Sequence, residues 1–272
     1  MCPPMGTAAS TDRRAQRHGP MQLLVDIGNS SIKWALRAGQ RAPLTGVGSA
    51  LHNGALPMDL LAIWDALDQV DAIFAAGVGP QTVKDAVIQV CESRFDRRPR
   101  WIRTQPRALG VRIAYPVPER LGVDRFLALV AAHQRAQADA AATASLIVDA
   151  GTAITYDLLT ADGQHLGGLI LPGIGLMRTG LLAGTQIPLH EPADADLPWA
   201  ADTGEAIAAA SIQAPAALLE RLHQRLQAHT GTPPHLLLTG GDAGRLAAAT
   251  HLSTEQIPEL VLRGLAAVAA VD

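Results

Sequence analysis

The chain reads as an α/β protein made of two duplicated domains, each a mixed five-stranded sheet flanked by helices. Three observations predict this. Short apolar runs alternate with segments of helical period. The order strand, strand, strand, helix, strand, helix occurs twice, as one long-range duplication rather than a tandem array. Each copy opens alike, with an apolar strand ending in aspartate, a turn of small residues and an alternating strand: "LLVDIGNSSIKWAL" at 23–36 and "SLIVDAGTAITYDLL" at 145–159. The expected domains are 21–141 and 142–272, joined through "ADAAATA" at 138–144. A length of 272 residues with 48% hydrophobic residues supports a core of that size.

In the first copy, "QLLVDI" (22–27) is a short continuous apolar run and predicts a buried strand. In "SIKWALR" (31–37), Ile32, Trp34 and Leu36 alternate with Lys33 and Arg37, which predicts a half-buried strand with the two cations on its open face. Gly28, Asn29 and Ser30 form the hairpin turn between them. A third strand is expected near 43–49, a helix over 57–69 and a strand over 71–78. Pro80 suits a first helical position, and Val83, Ala86, Val87 and Val90 follow at helical spacing. "RWI" (100–102) is a short strand; a loop with Tyr115, Pro116 and Pro118 leads to a helix over 121–138 that buries Phe126, Leu129, Val130 and His133. In the second copy the hairpin is followed by a strand in "HLGGLILPG", then helices, the strand of "HLLLTGGDA" (235–243) and a last helix near 257–270.

Bulk properties exclude several classes. A net charge of -3 gives no global attraction to nucleic acid or an anionic membrane, and "RFDRRPR" (94–100) reads as a solvated loop. No run of eighteen apolar residues predicts a membrane span. Cys2 and Cys91 lie far apart, and the histidines lack zinc spacing, so neither a disulfide framework nor a zinc site is expected, and a cytoplasmic location fits. Residues 1–20 lack the apolar segment of a signal peptide. Met21 precedes the first strand directly, so 1–20 is expected to be a disordered or non-native extension.

The two turns suit phosphate chemistry. Gly28 and Gly151 let the backbone approach an anion closely. The N–H groups and side chains of Asn29, Ser30 and Ser31 can donate to phosphate oxygens. Asp26 and Asp149 offer hard oxygen ligands at the strand tips for Mg²⁺ or a monovalent cation. Lys33 can meet a phosphate as a point charge; with Lys84 it is one of two lysines in the chain. A strand ending in Gly240-Gly241 lets backbone approach a base or ribose. Asp124, in the first turn of a helix and next to Arg125, is placed to stay ionised and to accept a proton from an alcohol. Taken singly, each feature also fits an aspartate that caps its own turn or a helix start; the repetition in matching contexts favours nucleotide binding.

Together "DIGNSSIKW", the Tyr115-Pro loop running into "LGVDR", "VDAGTAITYD", "GGLILPGI" and "DTGEAI" resemble the type III pantothenate kinases (the Bvg accessory factor family) from Met21 to the C-terminus. The resemblance implies two RNase H-like domains of the actin-like ATPase superfamily, with ATP in the cleft between them. It implies phosphorylation of pantothenate to 4'-phosphopantothenate, the first step of coenzyme A biosynthesis. By matched motif, Asp26, Ile27, Gly28, Asn29, Ser30, Ser31, Ile32 and Lys33 surround the ATP phosphates, with Asp26 nearest Mg²⁺. Thr152 contacts ATP, and Asp149 holds a monovalent cation, K⁺ or NH₄⁺. Asp124 is the general base, and Tyr115, Gly122, Val123, Asp124 and Arg125 contact pantothenate, as does Thr203 across a homodimer interface. Ser30 and Ser31 replace the family's commoner threonine, and Asp202-Thr203-Gly204 replaces its commoner Asn-Thr. Family members are also described as accessory factors in transcription, but no segment here resembles a DNA-reading motif. The competing readings are another small-molecule kinase of the superfamily and a nucleotide-binding regulator without turnover.

Overall fold

The computed structural model describes residues 19–138, 143–187 and 197–272. The expected extension (all but its last two residues) and the expected domain boundary at 141/142 lie outside that set. Two mixed five-stranded sheets repeat one topology. The first comprises β1 (Met21–Ile27), β2 (Ser31–Ala38), β3 (Thr45–Leu51), β4 (Ala72–Gly77) and β5 (Arg100–Trp101), in the order β3-β2-β1-β4-β5. A small ribbon, β6 (Arg107–Ala108) and β7 (Val111–Arg112), follows. The second sheet comprises β8 (Ser145–Ala150), β9 (Ala153–Leu159), β10 (His165–Pro172), β11 (His235–Thr239) and β12 (Glu255–Gln256), in the order β10-β9-β8-β11-β12. In both sheets the first strand runs antiparallel to the second and parallel to the fourth.

The helices are α1 (Met58–Asp65), α2 (Gln81–Phe95), α3 (Val123–Ala138), α4 (Ile174–Ala183), α5 (Thr203–Thr230), α6 (Ala243–Ala248) and α7 (Leu260–Ala269). Two of them are shorter than their apolar pattern suggests. The first stops at Asp65 rather than 69, and the last starts at Leu260 because Pro258 cannot donate an N–H inside a helix. None of the described helices is long and apolar enough to cross a membrane.

Strand alternation assigns the cores. Leu23, Val25 and Ile27 of β1 point outward and pack with Trp64 of α1 and Val83, Val87 and Cys91 of α2. Leu146 and Val148 of β8 point outward onto Leu219, Leu222 and Leu226 of α5. The intervening residues face inward. Leu24 and Ile147 meet a shared core built by α3 (Phe126, Leu127, Leu129, Val130) and α7 (Leu260, Val261, Leu265). The two sheets therefore sandwich a helix pair, and α7, which follows the second sheet in sequence, also covers the first.

That arrangement corrects one expectation. Arg37 is only 3% exposed, not on an open strand face, because α7 lies over it. Its Nε and Nη2 donate to Gln22 Oε1 at 2.9 and 2.6 Å, and Nη1 donates to the Ala266 carbonyl at 2.6 Å. His133 is buried as expected.

The helix pair packs unusually close at Gly264, where a Cβ would sit 1.9 Å from the Leu127 carbonyl oxygen. Gly264→Ala should thus force α3 and α7 apart and destabilise the fold by about 1–3 kcal/mol. A lower urea midpoint at unchanged slope would show it; an unchanged midpoint would mean that the pair yields freely.

Candidate active site

The inward alternation that places Leu24 and Ile147 in the shared core places Asp26 and Asp149, two residues on, at the same face. Both sit at strand tips, where the helix pair ends and a gap between the sheets opens. Asp26 lies opposite Lys33 in the β1–β2 register, and Asp149 opposite Thr155 in β8–β9. The two turns face each other directly: Ser30 Oγ and Thr152 Oγ1 are 2.8 Å apart. The first turn is closed by Gly28 N–H donating to the Ser31 carbonyl at 2.8 Å. It is braced by His52, whose backbone N–H donates to the Ser30 carbonyl and whose Nε2 lies 2.9 Å from the Gly28 carbonyl.

A cavity of about 280 Å³ fills this gap. It brings together Asp26, Gly28, Asn29, Ser30, Ser31, Lys33, Asp124, Asp149 and Thr152 of the expected residues, and Gly240-Gly241 close one side. Ser49 and Val78 line it as well, without a motif in the sequence to announce them, as does Thr155 from within "VDAGTAITYD". A second space of about 310 Å³, walled by Val47, Pro258 and Leu262, shares Lys33, Ser49, Gly240 and Gly241 with the first, so the two form one elongated cleft. Ile27 and Ile32 send their side chains into the outer core and can offer only backbone.

Asp124, in the first turn of α3, accepts the Arg125 N–H at 2.8 Å. Gly122 and Val123 line a neighbouring cavity of about 460 Å³ that meets the cleft at Val78. Tyr115 and Arg125 lie outside the cleft: Arg125 is 6% exposed and paired with Asp157. Thr203 begins α5, is exposed, and does not line the chain's own cleft; Asp202 caps that helix by accepting from Gly204 and Glu205 N–H.

The electrostatics of the gap favour a cation. Loss of water raises the Asp26 carboxyl to about 7; Lys33 opposes the shift, and Asp124 and Asp149 add to it. Desolvation likewise raises Asp149 to about 6, with the same opposition from Lys33. Asp124 is raised by desolvation, against the Arg125 N–H bond that holds it down. Asp26 Oδ1 is buried without a hydrogen-bond partner, an orphan that suits a cation. No group of three or more acid, histidine or cysteine side chains among the described residues is spaced to hold a metal by itself. The donor set therefore fits an ion that takes one or two carboxylates and completes its shell with phosphate oxygens and water.

Comparison with known proteins gives consistent results. Residues 22–225 match the family model for type III pantothenate kinase. A type III pantothenate kinase of Nitrosococcus oceani is 37% identical over 252 residues, covering 92% of this chain and 94% of the relative. One from Chromobacterium violaceum is 36% identical, covering 92% and 99%. Among solved structures, a Campylobacter jejuni protein described as a Baf family transcriptional activator aligns with a TM-score of 0.52 at 22% identity, over 89% of this chain and 94% of that one. That last likeness concerns the fold alone.

The raised Asp26 carboxyl makes a pH prediction for the cation-free protein. The folded chain holds this proton more tightly than the unfolded chain, whose carboxyl titrates near 3.8. The resulting stability is full below that value and is lost as the pH rises through about 7. Asp26→Asn cannot ionise, so its Tm should match wild type in acid, exceed it increasingly as the pH rises from 3.8 to about 7, and hold that margin above. A Tm difference that stays constant over that range would contradict the assignment.

Proposed function

The chain belongs to the type III pantothenate kinase family, and from that premise we propose how its cleft moves the γ-phosphoryl group of ATP to pantothenate. ATP-dependent phosphorylation of pantothenate, in coenzyme A biosynthesis, is the activity of this enzyme. The observation that carries the mechanism is the convergence of Asp26, Asp124 and Asp149 on one cavity with both turns and Lys33.

In this reading ATP lies along the elongated cleft. Its phosphates rest on the backbone of Gly28 to Ser31 and on the hydroxyls of Ser30 and Thr152, with Lys33 offsetting their charge. Asp26 would hold Mg²⁺ and Asp149 a monovalent cation, K⁺ or NH₄⁺; bound there, the ions supply charge neutralisation of the phosphates. Asp124 accepts the proton of the primary hydroxyl as it attacks phosphorus. Gly122, Val123, Tyr115 and Arg125 border the acceptor. Transfer of this kind needs mainly alignment and charge stabilisation, which these groups provide.

The enzyme acts as a homodimer in the same reading. Leu169 and Ile170 on edge strand β10 and Leu176 and Leu181 on α4 are 43–59% exposed on the single chain, apolar side chains of the kind that a second copy would cover. Thr203, which does not line its own cleft, would then reach the partner's acceptor site.

A coupled ADP-release assay with pantothenate tests the activity. Turnover should be low in sodium-only buffer and restored by potassium or ammonium, and Asp149→Ala should abolish that rescue; equal rates in all three salts would remove the cation from Asp149.

Asp124→Asn should retain ATP binding and lose turnover by about 10²–10⁴-fold. Mixed with a bulky Thr203 variant under demonstrated subunit exchange, it should regain activity through heterodimers with one intact site. Near-wild-type turnover would move the base elsewhere, and a mixture no better than its parts would confine pantothenate to one chain.

A further inference from the structure

The inward face of β9 carries one more acid than the cleft uses. Asp157 lies two residues past Thr155, on the same strand face, and points at α3 rather than into the nucleotide cavity. Arg125 meets it as a fork. Nε donates to Asp157 Oδ2 at 2.8 Å and Nη2 to Oδ1 at 2.6 Å. The two side chains are only 6% and 3% exposed. Nη1 donates to the Tyr115 hydroxyl at 3.2 Å, and Cζ stands 5.8 Å from the centre of the Tyr115 ring.

His165 completes the set. It is fully buried at the start of β10. Its Nδ1 lies 3.4 Å from the Ala114 N–H, which can only donate, so the ring proton sits on Nε2 and is donated to Asp157 Oδ1 at 3.0 Å. The imidazole also stacks on Tyr115 at 6.2 Å. Gly168 leaves room for the bridge: a Cβ there would come within 2.4 Å of both Arg125 Nη2 and Asp157 Oδ1.

A buried ion pair is a poor way to gain stability, because apolar residues of the same volume often do as well or better. What a bidentate pair does well is to fix the plane of a guanidinium. Here it fixes Arg125, the residue next to Asp124, and leaves one hydrogen on each of Nη1 and Nη2 and the Tyr115 hydroxyl proton uncommitted among the described residues. We propose that Asp157 is a positioning residue for the phosphoryl acceptor: seated on the second sheet, it holds Arg125 and Tyr115 in line beside Asp124, with His165 as its brace and Gly168 as the space it needs. The proposal rests on the reading of Tyr115 and Arg125 as acceptor contacts.

The test is steady-state kinetics of the full chain with both substrates varied. Asp157→Asn keeps the shape and removes the charge that locks the fork. It should lower kcat/KM for pantothenate by about 10–100-fold, the scale of a small misplacement, while KM for ATP stays within about twofold. In an Arg125→Lys background the same substitution should add little, since it acts through Arg125. Parallel losses for both substrates, or losses of the two substitutions that multiply, would reduce Asp157 to a structural bridge and overturn the proposal. Should Asp157→Asn fail to fold, His165→Phe removes one of the three donors and should give the same pantothenate-selective loss in smaller measure; no selectivity there overturns it equally. Wild-type turnover in the same assay separates this from failure of the kinase reading itself.

Discussion

Three carboxylates share one gap, and each gives up its proton there less readily than it would in water. Asp26 and Asp149 arrive from the tips of two central strands, Asp124 from the first turn of α3, and each is pushed above the usual carboxylate range by loss of water. Lys33 is too small a compensation for three. The gap is thus a place that stores negative potential and discharges it onto whatever cations and donors accompany a polyphosphate. Everything else in the molecule can be understood as holding this gap at the right width. The outer cores keep each strand tip rigid, and the facing turns limit how far the tips approach.

The inner helix pair sets that width. α3 and α7 fill the space between the sheets up to the point where Leu24 gives way to Asp26 and Ile147 to Asp149. Close approach at Gly264 keeps the wedge thin, and the Arg37 guanidinium ties the Ala266 carbonyl to the first sheet. Asp124 stands on the same wedge, so the group that would take the proton and the element that spaces the phosphate turns are one body. The Arg125–Asp157 bridge anchors the wedge to the second sheet as well.

Much of this was legible in the amino-acid order because period-two alternation is a local property. Once "LLVD" and "SLIVD" were read as strands entering tight turns, the two aspartates had to share the face of their i−2 neighbours, and the duplicated order placed the turns as counterparts. Alternation thus placed Asp26 and Asp149, and turn chemistry added Gly28 to Ser31 and Lys33, whereas Thr152 and the role of Asp124 rested on the resemblance to a family. What was not legible depended on distant covering elements. Arg37 looked solvent-facing because nothing nearby reveals that a helix beginning at Leu260 lies on it. Ser49, Thr155 and Val78 carry no distinctive chemistry. Asp157 did leave a trace, a charged residue inside an otherwise apolar strand, "AITYDLL", but its partner 32 residues upstream could be identified only in three dimensions.

The path of the chain through the wedge also bears on how the protein is made. The inner face of the first sheet, including Leu24, Ala35 and Phe74, is sealed by α7, which is synthesised after every strand of both sheets. While the ribosome is still translating the second half, the first half can complete its outer core with α1 and α2 but carries an inner face that α3 covers only in part and an Arg37 held by Gln22 without its bond to the Ala266 carbonyl. The topology therefore makes the complete core of the first half depend on an element at the end of the second. Residues 260–269 are thus both the last helix made and a wall of the core that the two sheets share, and a chain that lacks them exposes the kind of apolar surface that chaperones retain.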